Sequence, residues 1–267
     1  ITITETRTNI AQNTVSNESG NYTFTSVASG VYRVEAELAG FKKALRDKVE
    51  VDVNTTIRVD FKLEVGDLSE TLTVTTDAPA LQTDRADTGR IIQGEAIAAM
   101  PLGFGRNFQG MWATVPGATR PTRPHSEFFN SQDSLESKVN GQSRLANNVQ
   151  MEGLDNNHRT GLLTVLIPSA EALETVAVST SNFDAEFGRA GGAVTNVTLK
   201  SGTNNLRGSA FWFTGNESLN ATPYYATSKP DVSYNQFGFA VGGPIRKNKL
   251  FYFGDYQRTN DDLGRVF

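Results

Sequence analysis

Polar and apolar residues alternate strictly over Ile57–Leu63, where Ile57, Val59, Phe61 and Leu63 are interleaved with Arg58, Asp60 and Lys62. A strand with one buried and one wet face requires that period of two. Val31–Leu38 repeats it, with Tyr32, Val34, Ala36 and Leu38 opposite Arg33, Glu35 and Glu37. Tyr22 and Phe24 predict a third strand, and Val49, Val51 and Val53 a fourth. Turn residues at Glu18–Asn21, Ser29-Gly30, Ala39-Gly40 and Asp52–Asn54 separate these runs. Short strands at such spacing predict a small β-sandwich over residues 1–65.

Residues 66–87 are polar, Thr-rich and broken by Pro79, which fits an extended linker. From Thr88 the period changes. Gln93–Met100 predicts a short helix ended by Pro101. Asn107–Val115 predicts another, with Phe108, Met111, Trp112 and Val115 at i, i+3, i+4 and i+7 forming a core stripe. Lys138–Gly141 and Asn148–Gly153 are expected to pair as a hairpin, and Pro168–Leu173 to give a Ser-capped helical turn. Glu174–Thr180 and Ala193–Leu199 are rich in Val and Thr, with Gly188, Gly191 and Gly192 between them, so they predict strand, tight turn, strand. Residues 88–202 thus form an α+β unit.

Beyond Ser201-Gly202 aromatic residues concentrate, with about half of the chain's total in residues 204–267. Arg207–Thr214 alternates Phe211 and Phe213 with Ala210 and Trp212. Asn235–Gly242 alternates Phe237, Phe239 and Val241 with Gln236, Gly238 and Ala240. Apolar residues outward and small or polar residues inward is the pattern of an outer-membrane strand. Lys249–Arg258 predicts a third strand, with either Phe251/Phe253 or Leu250/Tyr252 outward. The pattern alone predicts a mainly β chain: sandwich, α+β unit, then strands that fit either a soluble sandwich or the start of a transmembrane β-barrel, truncated here.

Composition narrows the chemistry. The 267 residues carry a formal net charge of -4 and give no basic footprint for nucleic acid. With no cysteine, disulfides and thiolate metal sites are excluded. Two histidines are few for a metalloenzyme, and His125 reads as a surface residue. Gly103-Phe104-Gly105 lacks the strand and the further Gly or Lys of a phosphate loop. Asp155-Asn156-Asn157 lacks the alternate ligands of a calcium loop. Asp184, Glu186 and Arg189 have no nucleophile beside them, so a hydrolase reading is remote and no catalytic residue, metal or cofactor is assigned.

Several runs are similar to one family. SGNYTFTSVASGVYRVEAELAGFKK resembles the carboxypeptidase regulatory-like domain, a transthyretin-like sandwich, with its usual first strand missing. MPLGFGRNFQGMWATVPGAT, NGQSRLANNVQMEGLDNN, AEFGRAGGAVTNVTLKSGTN and NQFGFAVGGPIRKNKLFYFGDYQ resemble, in order, the plug and barrel entrance of TonB-dependent outer-membrane transporters of the Oar-like branch. The resemblance implies a plug signature at Arg106, Asn107, Phe108, Asn140, Gly141, Asp155, Asn156 and Asn157. It implies plug–barrel packing by Glu186, Phe187, Gly188, Arg189, Gly191 and Gly192. Glu152 stands where that family has Asp. Glu70, Thr71, Leu72, Thr73 and Val74 resemble a TonB box, an extended segment that adds as a strand to the TonB protein; a last sandwich strand is the other reading. The implied function is TonB-powered uptake of a small-molecule, peptide or carbohydrate ligand across the outer membrane, whose lipid the barrel contacts. The implied signal peptide lies upstream. A surface adhesion or carbohydrate-binding protein built of β domains is the alternative.

Overall fold

The computed structural model describes residues 1–52, 55–66, 71–73, 86–123, 130, 133–159, 161–222, 229 and 231–263. His125, Glu70 and Val74 lie outside that set. Three sheets follow one another along the chain.

The first sheet comprises β1 (Thr2–Glu5), β2 (Ala11–Asn13), β3 (Gly30–Ala36), β4 (Lys43–Val51) and β5 (Thr71–Thr73), ordered β2-β1-β3-β4-β5. β3 expresses its alternation as expected: Tyr32, Val34 and Ala36 are buried and Arg33 is exposed. Tyr32 and Val34 pack with Ile3 and Val49. Ile57–Leu63 departs from the expectation. Its exposure still alternates, but no strand ladder forms there. Val59 and Phe61 instead cover the same cluster as an extended layer, with Phe24 and Val27. The Val59 carbonyl accepts the Tyr22 hydroxyl at 2.6 Å. Tyr22 and Phe24 also form no strand. The physical reason lies at β4, whose edge at Lys43–Leu45 is taken by the parallel strand β5, so the alternating run finds a face to cover rather than an edge to pair. The opening pair β1–β2 supplies strands that the Thr-rich start does not announce.

The second sheet, with α1 and several short 3-10 turns, forms a central body. Its strands are β6 (Thr88–Gln93), β7 (Asn148–Met151), β8 (Leu154–Asp155), β9 (Leu173–Ser181) and β10 (Val194–Leu199), ordered β6-β9-β10-β7-β8. Helix α1 (Gly94–Ala99) leads directly out of β6. The predicted second helix is a 3-10 segment, Phe108–Thr114, capped by the Asn107 side chain, which accepts from the Gln109 N–H at 2.9 Å. Its stripe is core: Phe108, Met111, Trp112 and Val115 are all buried in one cluster with Leu173, Val176 and Val197.

Two pairings differ from the pattern. Asn140 and Gly141, both at positive φ, make a tight turn whose arm bonds Thr119 and Ala118, not β7. β7 turns at Glu152-Gly153 onto β8, and lies parallel to β10. β9 and β10 are antiparallel neighbours as expected, but residues 182–193 between them are an excursion with a 3-10 turn, not a tight turn. A helical turn at Ala170–Ala172 is capped by the Ser169 hydroxyl, as its sequence predicts.

The third sheet is an antiparallel meander of β11 (Arg207–Asn216), β12 (Val232–Arg246) and β13 (Leu250–Leu263). On β12, Tyr234, Gln236 and Ala240 are buried against the central body while Phe237 and Phe239 are exposed. Tyr256 stacks on Phe239 with ring centroids 6.0 Å apart, which turns Leu250, Tyr252 and Tyr256 outward and resolves the face of β13. Gly202 enters this sheet where an added Cβ would lie 2.3 Å from the Tyr252 carbonyl oxygen, so only glycine fits the crossing. No helix among the described residues is long and apolar enough to span a membrane.

Candidate functional site

The central body meets the third sheet through the loop Gly103–Arg106. Gly105 is held by its backbone: its N–H donates to the Tyr234 hydroxyl at 3.0 Å, and its carbonyl accepts from Gln236 Nε2 at 3.2 Å. The Tyr234 hydroxyl in turn donates to Gln236 Oε1 at 2.9 Å, closing a small network on β12. Arg106 follows at positive φ, with Gly103 and Gly105 on its approach also left-handed. Its guanidinium pairs with Glu171, and both side chains are about nine-tenths buried. It also donates to the Ala98 carbonyl at the end of α1, 2.7 Å away. On the other side it lies 4.0 Å from the Phe213 ring centroid and 5.8 Å from that of Phe211, both on β11. One cation thus joins two elements of the central body to the hairpin wall, and desolvation strengthens its attraction for the aromatic faces.

Glu171 sits in the capped turn Ala170–Ala172, which reaches the wall a second time: the Ser169 hydroxyl bonds Asp255 on β13 at 3.0 Å. The other Glu171 oxygen, Oε2, is buried and makes no hydrogen bond among the described residues. A half-satisfied buried carboxylate depends strongly on the single cation that faces it.

The remaining signature residues organise the central body. Asn107 caps its 3-10 segment and donates to the Asp133 carbonyl at 2.9 Å. Asn140 donates to the Thr180 carbonyl, 2.8 Å. Asn156 pairs with both backbone groups of Leu166 at 2.9 Å each. Asn157 bonds Val149 and Asn148 across β7, with Asp155 beside it. Glu152 accepts the Leu199 N–H at 2.6 Å, so the longer acid bonds the neighbouring strand β10. In the glycine motif, the Phe187 carbonyl accepts from Asn148 at 2.7 Å, and the N–H groups of Gly191 and Gly192 bond the Ala146 carbonyl. Gly192 has no room for a Cβ, which would meet Asn147 Oδ1 at 2.4 Å. These contacts lie inside the central body, and the plug–barrel role expected of Glu186–Gly192 remains a proposal.

The structure thus places contact with the third sheet at Arg106, which the sequence marks, and at Glu171, Tyr234, Gln236 and Phe213. Of these four, Gln236 and Phe213 stood out in the alternation of their strands, but Phe213 departs from the apolar-outward pattern: it pairs with Gln236 and shares its inward face, under Arg106. A cavity of about 20 Å³, room for a water molecule, opens beside Gln109, Trp112, Glu136, Arg144 and Thr164. That is below the usual size for a ligand pocket. No group of three or more potential metal ligands occurs among the described residues.

A second contact lies at the other end of the third sheet. Arg7, in the β1–β2 turn, pairs with Glu174 at the start of β9 and with Glu5 at 3.1 Å. Its carbonyl accepts the Asn204 N–H at 3.0 Å. Asn9 and Asn204 both donate to Asn248 Oδ1 in the β12–β13 turn, at 3.1 and 2.8 Å. Burial pushes the Glu5 carboxyl up, but hydrogen bonds from Thr8 and Arg7 outweigh it and hold the group below its ordinary value. Burial lowers Arg7, and Glu174 with Glu5 more than reverse this.

Comparison with known proteins agrees with this arrangement at both ends of the chain. Residues 1–64 match a carboxypeptidase regulatory-like domain, and residues 198–266 an outer membrane beta barrel domain. TonB-dependent transporter Oar of Myxococcus xanthus is 27% identical over 275 residues, covering 96% of this chain and 25% of that protein. The chain resembles an Oar-like TonB-dependent outer-membrane transporter. It spans about a quarter of the length of that curated relative. Solved structures similar to it include the outer membrane transporter YddB from Escherichia coli, at 16% identity and TM-score 0.49, covering 66% of this chain and 26% of that one. Another is the siderophore receptor PirA from Acinetobacter baumannii, at 23% identity and TM-score 0.44, covering 64% and 24%. The match of residues 198–266 to an outer membrane beta barrel domain supports an outer-membrane location, and the proteins the chain matches are named as transporters and receptors.

Proposed function

We propose that this chain is the N-terminal part of a TonB-dependent importer, carrying a small-molecule, peptide or carbohydrate ligand across the outer membrane. In this reading residues 1–65 are a carboxypeptidase regulatory-like domain, 66–87 a linker with the TonB box, 88–202 the plug, and 203–267 the first barrel strands. The observation that carries it is the seat of Gly105 and Arg106 on β11 and β12. A compact α+β body fixed by a buried cation to the inward face of a β-meander, where Phe211 and Phe213 lie beside Gln236 while Phe237 and Phe239 face outward, suits a plug within a barrel wall. The adhesion reading has no use for that seat and is not favoured.

TonB would pair with Glu70–Val74. The backbone of Thr71–Thr73 already runs as an extended edge strand on β4. An ordered edge strand suits strand addition, since part of the ordering entropy is already lost. In full-length protein, Leu72→Pro should reduce binding of the TonB periplasmic domain at least tenfold, by calorimetry, because proline removes a ladder donor. Unchanged binding would contradict the box assignment.

A further inference from the structure

The contact around Arg7 has features that a fixed joint does not need. It is the meeting point of all three sheets: the β1–β2 turn of the first, the start of β9 in the second, and the β12–β13 turn of the third. The turn is stiffened from within, because Glu5 accepts from the Arg7 and Thr8 backbone N–H groups and from Arg7 Nε. What it presents outward is then one cation and a few amide bonds. Arg7 and Glu174 retain 27% and 32% of their side-chain exposure, so the pair is reached by water and salt. Such a contact orients two bodies at small cost to separation.

The first sheet also has two distinct edges. The turn that makes this contact joins β1 to β2 at one edge, and β5 with Thr71–Thr73 lies at the other. A pull applied at β5 therefore loads the sheet across its width and reaches the Arg7 contact at the far side.

We propose that the first sheet is a releasable clasp on the joint between plug and barrel, held by Arg7 on Glu174, by the Arg7 carbonyl on the Asn204 N–H and by Asn9 on Asn248, and that engagement of the box segment by TonB lifts it from this seat. The inference rests on the transport reading, since TonB is its trigger. While docked, the sheet ties the start of β9 to the β12–β13 turn, so the plug cannot shift relative to the barrel rim there. Once lifted, that restraint is gone.

Spin labels at Gln12→Cys and Lys247→Cys, both exposed and outside the contact, report its state by electron–electron distance measurement. The sample is full-length protein in lipid nanodiscs. The wild-type background should give one narrow distance. Arg7→Glu, which sets a third acid against Glu5 and Glu174, should lower the docked-to-undocked ratio about tenfold and broaden the distribution. The exchanged pair Arg7→Glu/Glu174→Arg should recover part of the ratio, with Glu5 left facing an acid, and any recovery over Arg7→Glu alone separates a lost contact from a misfolded sheet. Added TonB periplasmic domain should broaden the wild-type distribution in the same way. An Arg7→Glu distribution as narrow as wild type would overturn the clasp. TonB that binds, with loss of binding in Leu72→Pro, but leaves the distance narrow would overturn release while sparing the transport reading. No TonB binding at all would sink the transport reading, and release with it.

Discussion

The third sheet is met at two ends, by the central body at one and by the first sheet at the other, and the two contacts are built differently. Near the β11–β12 connection, Arg106 is buried between Glu171 and the rings of Phe211 and Phe213, and Gly105 is held by both of its backbone groups. Near the β12–β13 turn, the first sheet reaches in with a half-exposed Arg7 and a set of asparagine amides. A buried cation with aromatic cover loses a great deal if its partner is removed, whereas an exposed pair loses little. The first contact therefore fixes position, and the second can open without disturbing the core.

The largest effect should come from breaking the buried contact. Arg106→Ala leaves Glu171 charged, buried and without its one cation, and should cost about 3–5 kcal/mol in the denaturant unfolding of the full-length protein. Arg106→Lys should recover only part, since a point charge cannot fork between Glu171 and the Ala98 carbonyl while lying flat on Phe213. A loss below about 1 kcal/mol for Arg106→Ala would place this residue among ordinary surface charges and erase the contrast.

A smaller effect is expected from acid at the exposed end. Glu5 is held below its ordinary value of 4.5 in the folded turn. Its folded pKa is depressed, so its stabilisation is full above that ordinary value and disappears as pH falls through the lower folded value. Opening of the β1–β2 turn, followed by amide exchange at Arg7 and Thr8, should rise as pH drops below 4.5. Glu5→Gln should remove that dependence. Persistence of the same pH response in Glu5→Gln would assign the effect to another acid.

Much of this was legible in the chain. The inward Gln236 and outward Phe237 and Phe239 followed from a period of two, because a sheet with different solvents on its faces writes that period into its sequence. The core stripe of Phe108, Met111, Trp112 and Val115 was equally plain, although its backbone is 3-10. What the pattern could not show was pairing. Ile57–Leu63 has ideal alternation yet makes no ladder, since alternation reports a half-buried extended segment and says nothing of a free neighbouring edge. Lys138–Gly141 was expected to pair with Asn148–Gly153, but it turns at Asn140-Gly141 and bridges to Ala118 instead of β7. Glu171 and Glu174 were invisible as partners because their cations are distant in sequence, at Arg106 and Arg7, and no local spacing encodes such a contact.

Two amides allow the central contrast to be measured directly. The Gly105 N–H bonds Tyr234 across the buried contact, and the Asn204 N–H bonds the Arg7 carbonyl across the exposed one. Hydrogen exchange of full-length protein in nanodiscs, with and without the TonB periplasmic domain, should show Asn204 losing protection on TonB addition while Gly105 keeps it. Equal loss at both amides, or loss at Gly105 alone, would contradict the account.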